Sequence, residues 1–122
     1  MKSIKLFWGL LFLLISINIS EQCVNSPTVT LSKTTGTTCG TGAVTVSGNT
    51  FGGSATKVYL TENGQGSVSP TSVSKSPFSF TYTPKSGDIG KTVIITATTD
   101  NPLGSPCVAA TRTYTLTVSA IP

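Results

Sequence analysis

Histidine is absent from this chain of 122 residues, and charged residues are scarce, at 10%. The sequence therefore lacks the side chain that most often acts as a general base near neutral pH and most often binds metals. The acidic residues, which would have to take over that role, are few and far apart: Glu21, Glu62, Asp88 and Asp100. General acid–base catalysis needs titratable groups held together with shifted pKa values. The sequence predicts a protein that is not an enzyme.

Metal ions, cofactors and nucleic acids have no recognisable site either. The chain has no Cys-x-x-Cys pair and no Asp-x-Asp cluster, so neither a zinc site nor a calcium site is expected. The formal net charge is +4, but Lys2 and Lys5 belong to the leader described below. The six basic and four acidic residues that remain make no basic footprint for nucleic acid. We expect no cofactor and no nucleic-acid partner.

Residues 1–20 are predicted to be a secretory signal peptide. Lys2 and Lys5 precede an apolar run from Leu6 to Ile17, and a short polar segment ending at Ser20 follows it. A membrane-spanning helix needs about 20 apolar residues, so this run is too short. We expect cleavage after Ser20 and an exported protein without a membrane span. Lipidation of Cys23 and an uncleaved anchor helix are the less favoured alternatives.

The rest of the chain consists of short segments in which apolar and polar residues alternate, separated by Gly, Pro, Ser and Asn. Such a pattern is typical of an all-β sandwich. The predicted strands are Thr28–Leu31, Ala43–Ser47, Lys57–Thr61, a weak edge strand within Ser67–Ser74, Phe78–Thr83, Thr92–Thr98 and Thr111–Ser119. The strand Thr92–Thr98 is apolar on both faces, so we expect it to be central. Thr34–Gly42 is predicted to be a loop. Residues 21–36 form the N-terminal arm and first strand, and residues 37–120 form the domain.

Five short motifs occur in a characteristic order after the leader. They are Gly52–Thr56 (GGSAT), Gly66–Pro70 (GSVSP), Tyr82–Gly90 (YTPKSGDIG), Thr96–Asp100 (TATTD) and Ser105–Cys107 (SPC). In this order they resemble the immunoglobulin-like, PKD-like repeats of large Bacteroidetes cell-surface, gliding-type and adhesin-like proteins. The resemblance extends over about residues 39 to 119.

This resemblance implies an immunoglobulin-like antiparallel β-sandwich of about seven strands. It also implies a bacterial cell-surface setting, and a non-enzymatic structural or adhesive role beside neighbouring domains of the same kind. In the family, a cysteine just before the second strand faces the cysteine of the Pro-Cys dipeptide. Here those residues are Cys39 and Cys107. Such repeats usually stand in long arrays, and this sequence contains one.

The three cysteines after the leader leave one without a partner once a pair forms. A bridge between Cys39 and Cys107 would close a loop of roughly seventy residues and stabilise the domain by about 4 kcal/mol. Cys23 is then the odd cysteine, because it lies nearest to the mature N-terminus. We expect it to be free or to pair with another chain.

Self-assembly is an alternative function. The first strand (Thr28, Val29, Thr30 and Leu31) is tethered through the Thr-rich segment Thr34–Thr38, which we expect to be flexible. Such a strand could leave its own sheet and add to the edge of another copy, as in donor-strand complementation. Repeated head-to-tail, this exchange would build an extracellular filament, and Cys23 could cross-link the subunits.

Binding of surface glycans is a second alternative. Sugar-binding faces need exposed aromatic side chains, and the only tryptophan, Trp8, lies in the leader. Tyr59 is the one aromatic residue that the strand pattern predicts to face outward.

Overall fold

The computed structural model describes residues 22–122, which form two β-sheets packed face to face. The strands are β1 (Thr28–Thr30), β2 (Thr35–Cys39), β3 (Val44–Gly52), β4 (Val58–Glu62), β5 (Ser67–Ser69), β6 (Ser72–Val73), β7 (Phe78–Thr83), β8 (Thr92–Thr99) and β9 (Thr111–Ser119). A single 3-10 turn, Ser86–Asp88, follows β7. The predicted all-β sandwich is thus confirmed. The predicted signal peptide, residues 1–20, lies outside the described residues.

One sheet has four strands in the order β1-β3-β7-β5, and the other has five in the order β2-β9-β8-β4-β6. Neighbouring strands are antiparallel except for β2, which runs parallel to β9. The chain changes sheet at every connection from β1 to β8, and β8 and β9 are the one consecutive pair within a single sheet. Strand β8 lies at the centre of the five-stranded sheet, as its apolar sequence predicted.

The core lies between the sheets and is built from the inward-facing residues of the alternating strands. Its most fully buried side chains are Val29, Val58, Phe80, Tyr82, Val93, Ile95, Leu116 and Val118. The rings of Phe80 and Tyr114 meet edge to face across it, with centroids 6.0 Å apart. Aromatic and branched side chains on a pleated strand fill this space well, which is why the same alternation predicted the strands.

Asn49 holds the first of these crossings, where the chain leaves β1 for β2. It is fully buried at a bulge in β3. Its amide nitrogen donates to the carbonyl oxygens of Val46 (2.9 Å) and Phe78 (3.1 Å). Its amide oxygen accepts the backbone N–H of Ser32 at 3.0 Å, just after β1. A buried amide with these three partners is satisfied, and it holds the start of the crossover against β3.

The loop predicted for Thr34–Gly42 is wrong over Thr35–Cys39, which is strand β2. Thr35 lies opposite Thr115 and Cys39 opposite Ser119 in the parallel pairing with β9. The inward positions of β2 are Gly36 and Thr38 rather than apolar residues. A Cβ atom at Gly36 would overlap the hydroxyl of Tyr114, so the tyrosine of the neighbouring strand occupies the space that a β2 side chain would fill.

The predicted disulfide is also corrected: Cys23 pairs with Cys107, and their Cα atoms are 4.7 Å apart. Cys39 is a free, exposed thiol. Because β2 runs parallel to β9, Cys39 lies beside Ser119, whereas Cys107 precedes the other end of β9. A nine-residue strand is about 26 Å long, far beyond the reach of a disulfide. The expectation that Cys23 serves as an intermolecular thiol is corrected with it.

The first strand lies in its own domain. Thr28 and Thr30 pair with the end of β3, and the side chains of Val29 and Leu31 are buried in the core. The boundary drawn between residues 36 and 37 falls inside β2. Within residues 22–122, no helix is long and apolar enough to cross a membrane.

Candidate interaction surfaces

Asp88 is the most deeply buried charged residue described, with 2% of its surface exposed. Its carboxylate accepts the Tyr82 hydroxyl at 2.6 Å and the backbone N–H of Gln65 at 2.7 Å. It also accepts the N–H groups of Gly66 and Lys85, at 3.1 and 3.2 Å. The carboxylate thus ties the β4–β5 turn to the 3-10 turn after β7. Sequence analysis identified Asp88 only as one of four isolated acidic residues and gave no signal of its burial.

The pKa values of this cluster follow from its geometry. Burial alone would raise the pKa of Asp88, but the hydrogen bonds from Gln65, Tyr82, Lys85 and Gly66 outweigh it and hold the pKa below its ordinary value. For Tyr82, burial and the hydrogen bond to Asp88 raise the pKa to about 12. Both shifts favour the pairing of a charged carboxylate with a neutral phenol, so the cluster stabilises the fold.

Asp100 plays a similar part at the other end of β8. Its carboxylate accepts the backbone N–H groups of Thr56 (2.9 Å) and Lys57 (3.2 Å) and the hydroxyl of Thr56. It joins the turn before β4 to the loop after β8. Asp88 precedes β8 and Asp100 follows it, so the two carboxylates lie at opposite ends of the sandwich. Among residues 22–122, no three His, Cys, Asp or Glu residues are grouped as a metal site would require.

The disulfide defines one end of the sandwich, which we call the disulfide pole: Cys23, Cys107 and the loop 100–110. The amide nitrogen of Asn101 donates to the carbonyl oxygen of Cys107 at 2.7 Å and closes this loop. We call the end where β9 stops, at Ser119, the distal pole. The chain therefore enters the described domain at one pole and leaves β9 at the other.

The outer face of the five-stranded sheet carries rows of threonine side chains, which we call the threonine face. Its members are Thr35, Thr37, Thr61, Thr92, Thr96, Thr98, Thr111, Thr113, Thr115 and Thr117. The threonine hydroxyls of residues 22–122 that form side-chain hydrogen bonds lie elsewhere, at Thr38, Thr45, Thr56, Thr81 and Thr99. The threonine face therefore presents uncharged donors and acceptors to whatever lies outside it.

Two further features border the threonine face. Tyr59 on β4 faces outward, as predicted, with 45% of its surface exposed. It lies opposite Thr98 of β8. At the other side of the sheet, β2 is the edge strand, with Cys39 exposed at its end. Sequence reasoning missed this edge, because β2 has no apolar alternation to reveal it.

The fold and these surfaces define a β-sandwich domain closed by one disulfide. No protein-family model and no curated protein sequence matches the chain. Among solved structures, it is similar to a nucleoside hydrolase-related hypothetical protein from Saccharophagus degradans that is associated with carbohydrate metabolism. The TM-score is 0.53 at 17% identity, over 76% of this chain and 25% of that one. At that identity the likeness concerns the fold alone, and this chain spans about a quarter of that protein's length.

Proposed function

We propose that this protein is a non-enzymatic structural module of a bacterial cell surface, with an immunoglobulin-like sandwich that transmits tension between its two poles. The observation that carries the proposal is the route of the covalent chain between the poles. Tension applied at the two ends of the described chain enters at Cys23, crosses the disulfide to Cys107, and passes along β9 to Ser119. Strand β9 is already extended, so its covalent backbone bears the tension.

The disulfide removes most of the domain from that route. Cys23 and Cys107 are 84 residues apart in sequence, and the chain between them bears no tension while the bridge is closed. Strand β9 is also held on both sides, by β8 and by β2. The domain would then keep a nearly fixed length under tension, as a spacer or a stalk at a cell surface requires.

Other observations support the immunoglobulin-like part of the proposal. The sheet β1-β3-β7-β5 and the three strands β9-β8-β4 have the strand orders ABED and GFC of such sandwiches, and β2 and β6 are added at the two edges of the second sheet. The resemblance to Bacteroidetes surface repeats suggests the extracellular setting. A disulfide is also what an exported domain of this size commonly uses for stability.

Stretching single molecules tests the proposal. With the disulfide closed, we expect the domain to lengthen by about 20 Å or less, because only the short segment before β9 has slack. With the disulfide open, unfolding should release the further 84 residues, about 290 Å at about 3.5 Å per residue. The measurement is the contour-length gain of the protein tethered through its two ends, with and without reductant.

The matched control is Cys39→Ser, which should extend like the unaltered protein in both conditions. A gain of several hundred ångströms in oxidised protein would contradict the proposed route. So would rupture at the same length before and after reduction.

Adhesion to glycans stays a prediction that rests on Tyr59 and the hydroxyls beside it. The solved structure that the chain resembles belongs to a protein associated with carbohydrate metabolism. That association is compatible with glycan binding but is not evidence for it, because the likeness concerns the fold alone. A single exposed tyrosine is a small platform for a sugar ring, so we place glycan binding second to the structural role.

Strand exchange through the N-terminal arm also stays a prediction. It would require Val29 and Leu31 to leave the core and β1 to leave β3. With Cys23 tied to Cys107, the arm would still be anchored at its own disulfide pole. We therefore expect strand exchange only after the disulfide is reduced. Measuring the native mass with and without reductant would reveal it as an oligomer that forms only in reductant.

A further inference from the structure

Four strands lie at sheet edges, and only one of them lacks the usual protection against pairing with another strand. Natural edges are kept short or carry proline or charge. Strand β1 has three residues and follows Pro27, β5 has three and precedes Pro70, and β6 has two. Strand β2 has five, and neither proline nor a charged residue occurs from Thr34 to Ala43.

The outer side of β2 presents backbone groups that have no partner within residues 22–122. Thr34 accepts the N–H of Thr115 and Gly40 donates to Ser119, so the even-numbered residues of this segment face β9. The N–H and C=O groups of Thr35 and Thr37, and the N–H of Cys39, therefore point away from the sheet. The carbonyl of Cys39 accepts the N–H of Gly42 at 3.2 Å, which ends the strand.

We propose that β2 pairs antiparallel with β2 of a second copy of this chain, about a two-fold axis at Thr37. In this register the three outward-facing residues lie opposite one another: both hydrogen bonds form between the two Thr37 residues, and the N–H of each Cys39 donates to the carbonyl oxygen of Thr35 in the other copy. Thr37 lies opposite Thr37 of the second copy, and Thr35 lies opposite Cys39. The pairing joins the two five-stranded sheets edge to edge and extends the threonine face across both copies.

The occupant is a second copy because β2 is complementary to itself. The strand is uncharged, so pairing it with its own sequence opposes no like charges. Lys33, the nearest charged residue, comes opposite Thr41 of the second copy rather than another lysine. A single strand pair buries less than the roughly 1,600 Å² of a standard interface, so the dimer is weak and exchanges rapidly. This inference goes beyond the proposed function and does not depend on it.

Site-directed cross-linking tests the register. In the proposed pairing, the Cα atoms of residue 35 and residue 39 of the second copy are about 5.5 Å apart, within the range of a disulfide. The variant Thr35→Cys/Cys39→Ser is activated as a mixed disulfide with thionitrobenzoate and mixed with the unaltered protein. Attack by the Cys39 thiolate forms the 35–39 bridge and releases one coloured thiolate per bridge, which gives the rate.

The matched control is Thr113→Cys/Cys39→Ser, whose thiol is exposed on the same face one strand further in. We expect the activated cysteine at position 35 to react at least about tenfold faster than the one at position 113, because pairing raises the local concentration of the Cys39 thiol. Thr37→Pro in both partners should abolish the difference. This proline removes an N–H that faces away from β9, so the domain's own sheet is kept. Equal rates for residues 35 and 113, or a difference that survives Thr37→Pro, would overturn the proposal.

Discussion

Replacing Cys23 with serine is expected to lower the free energy of unfolding by about 4–5 kcal/mol. The bridge between Cys23 and Cys107 closes a loop with a sequence separation of 84, and opening it restores the chain entropy of a loop that long. A small domain is stabilised by about 5–15 kcal/mol in all, so this bond contributes between about a third of that stability and nearly all of it. Urea unfolding of Cys39→Ser and of Cys23→Ser/Cys39→Ser gives the difference without thiol exchange.

Cys39→Ser is the matched control for this prediction, because Cys39 is exposed and unpaired. We expect it to be as stable as the unaltered protein, within about 0.5 kcal/mol. If Cys39→Ser instead proves the destabilised variant, the bridge runs through Cys39 and the structure is wrong at this point.

Replacing Asp88 with alanine is expected to lower the free energy of unfolding by about 4 kcal/mol, because it leaves one buried and two partly buried donors unpaired. The substitution leaves the Tyr82 hydroxyl and the N–H groups of Gln65 and Lys85 without their acceptor. Asp100→Ala is the matched control, because Asp100 is half-buried and also accepts two N–H groups and a hydroxyl, but through hydrogen bonds that are exposed to solvent. There water can replace the carboxylate, so we expect a loss of about 1 kcal/mol. Equal losses in the free energy of unfolding for the two variants would contradict the claim that burial makes the Asp88 hydrogen bonds more stabilising.

Asp88 also predicts how stability changes in acid. Its pKa is lower in the folded protein than in the unfolded chain, so its contribution is present at neutral pH. Below about pH 4 the carboxylate of Asp88 binds a proton in the unfolded chain before it does so in the folded protein. The stability that the carboxylate contributes is therefore lost as the pH falls through its pKa in the folded protein. The unaltered protein should therefore lose stability more steeply below pH 4 than Asp88→Asn does. Parallel curves in urea at several pH values would contradict the assignment.

The sequence predicts most strands well, because their inward residues are apolar. Phe78–Thr83, Thr92–Thr98 and Thr111–Ser119 match β7, β8 and β9 closely. Where buried positions hold other residues, the prediction fails. The inward positions of β2 are Gly36 and Thr38, and β3 continues past its predicted end through a bulge at which Asn49 is buried.

The cysteine pairing could not be predicted, because it depends on the direction of a strand that the sequence does not reveal. A loop over Thr34–Gly42 would let Cys39 approach Cys107. Once β2 runs parallel to β9, the two cysteines lie at opposite poles, and the N-terminal arm brings Cys23 to Cys107 instead. The resemblance to surface repeats pointed to the same wrong pair, so it did not replace knowledge of the register.

The disulfide underlies both the stability of the domain and the route of tension through it, so mapping the disulfide tests the account most directly. Trypsin cleavage at Lys33, Lys57, Lys91 and Arg112 would separate the three cysteines into different peptides. In unreduced, alkylated protein, we expect the peptide ending at Lys33 to be linked to peptide 92–112, and Cys39 in peptide 34–57 to be alkylated. A link between peptides 34–57 and 92–112, with Cys23 alkylated, would contradict the fold at the disulfide pole and the proposed route of tension.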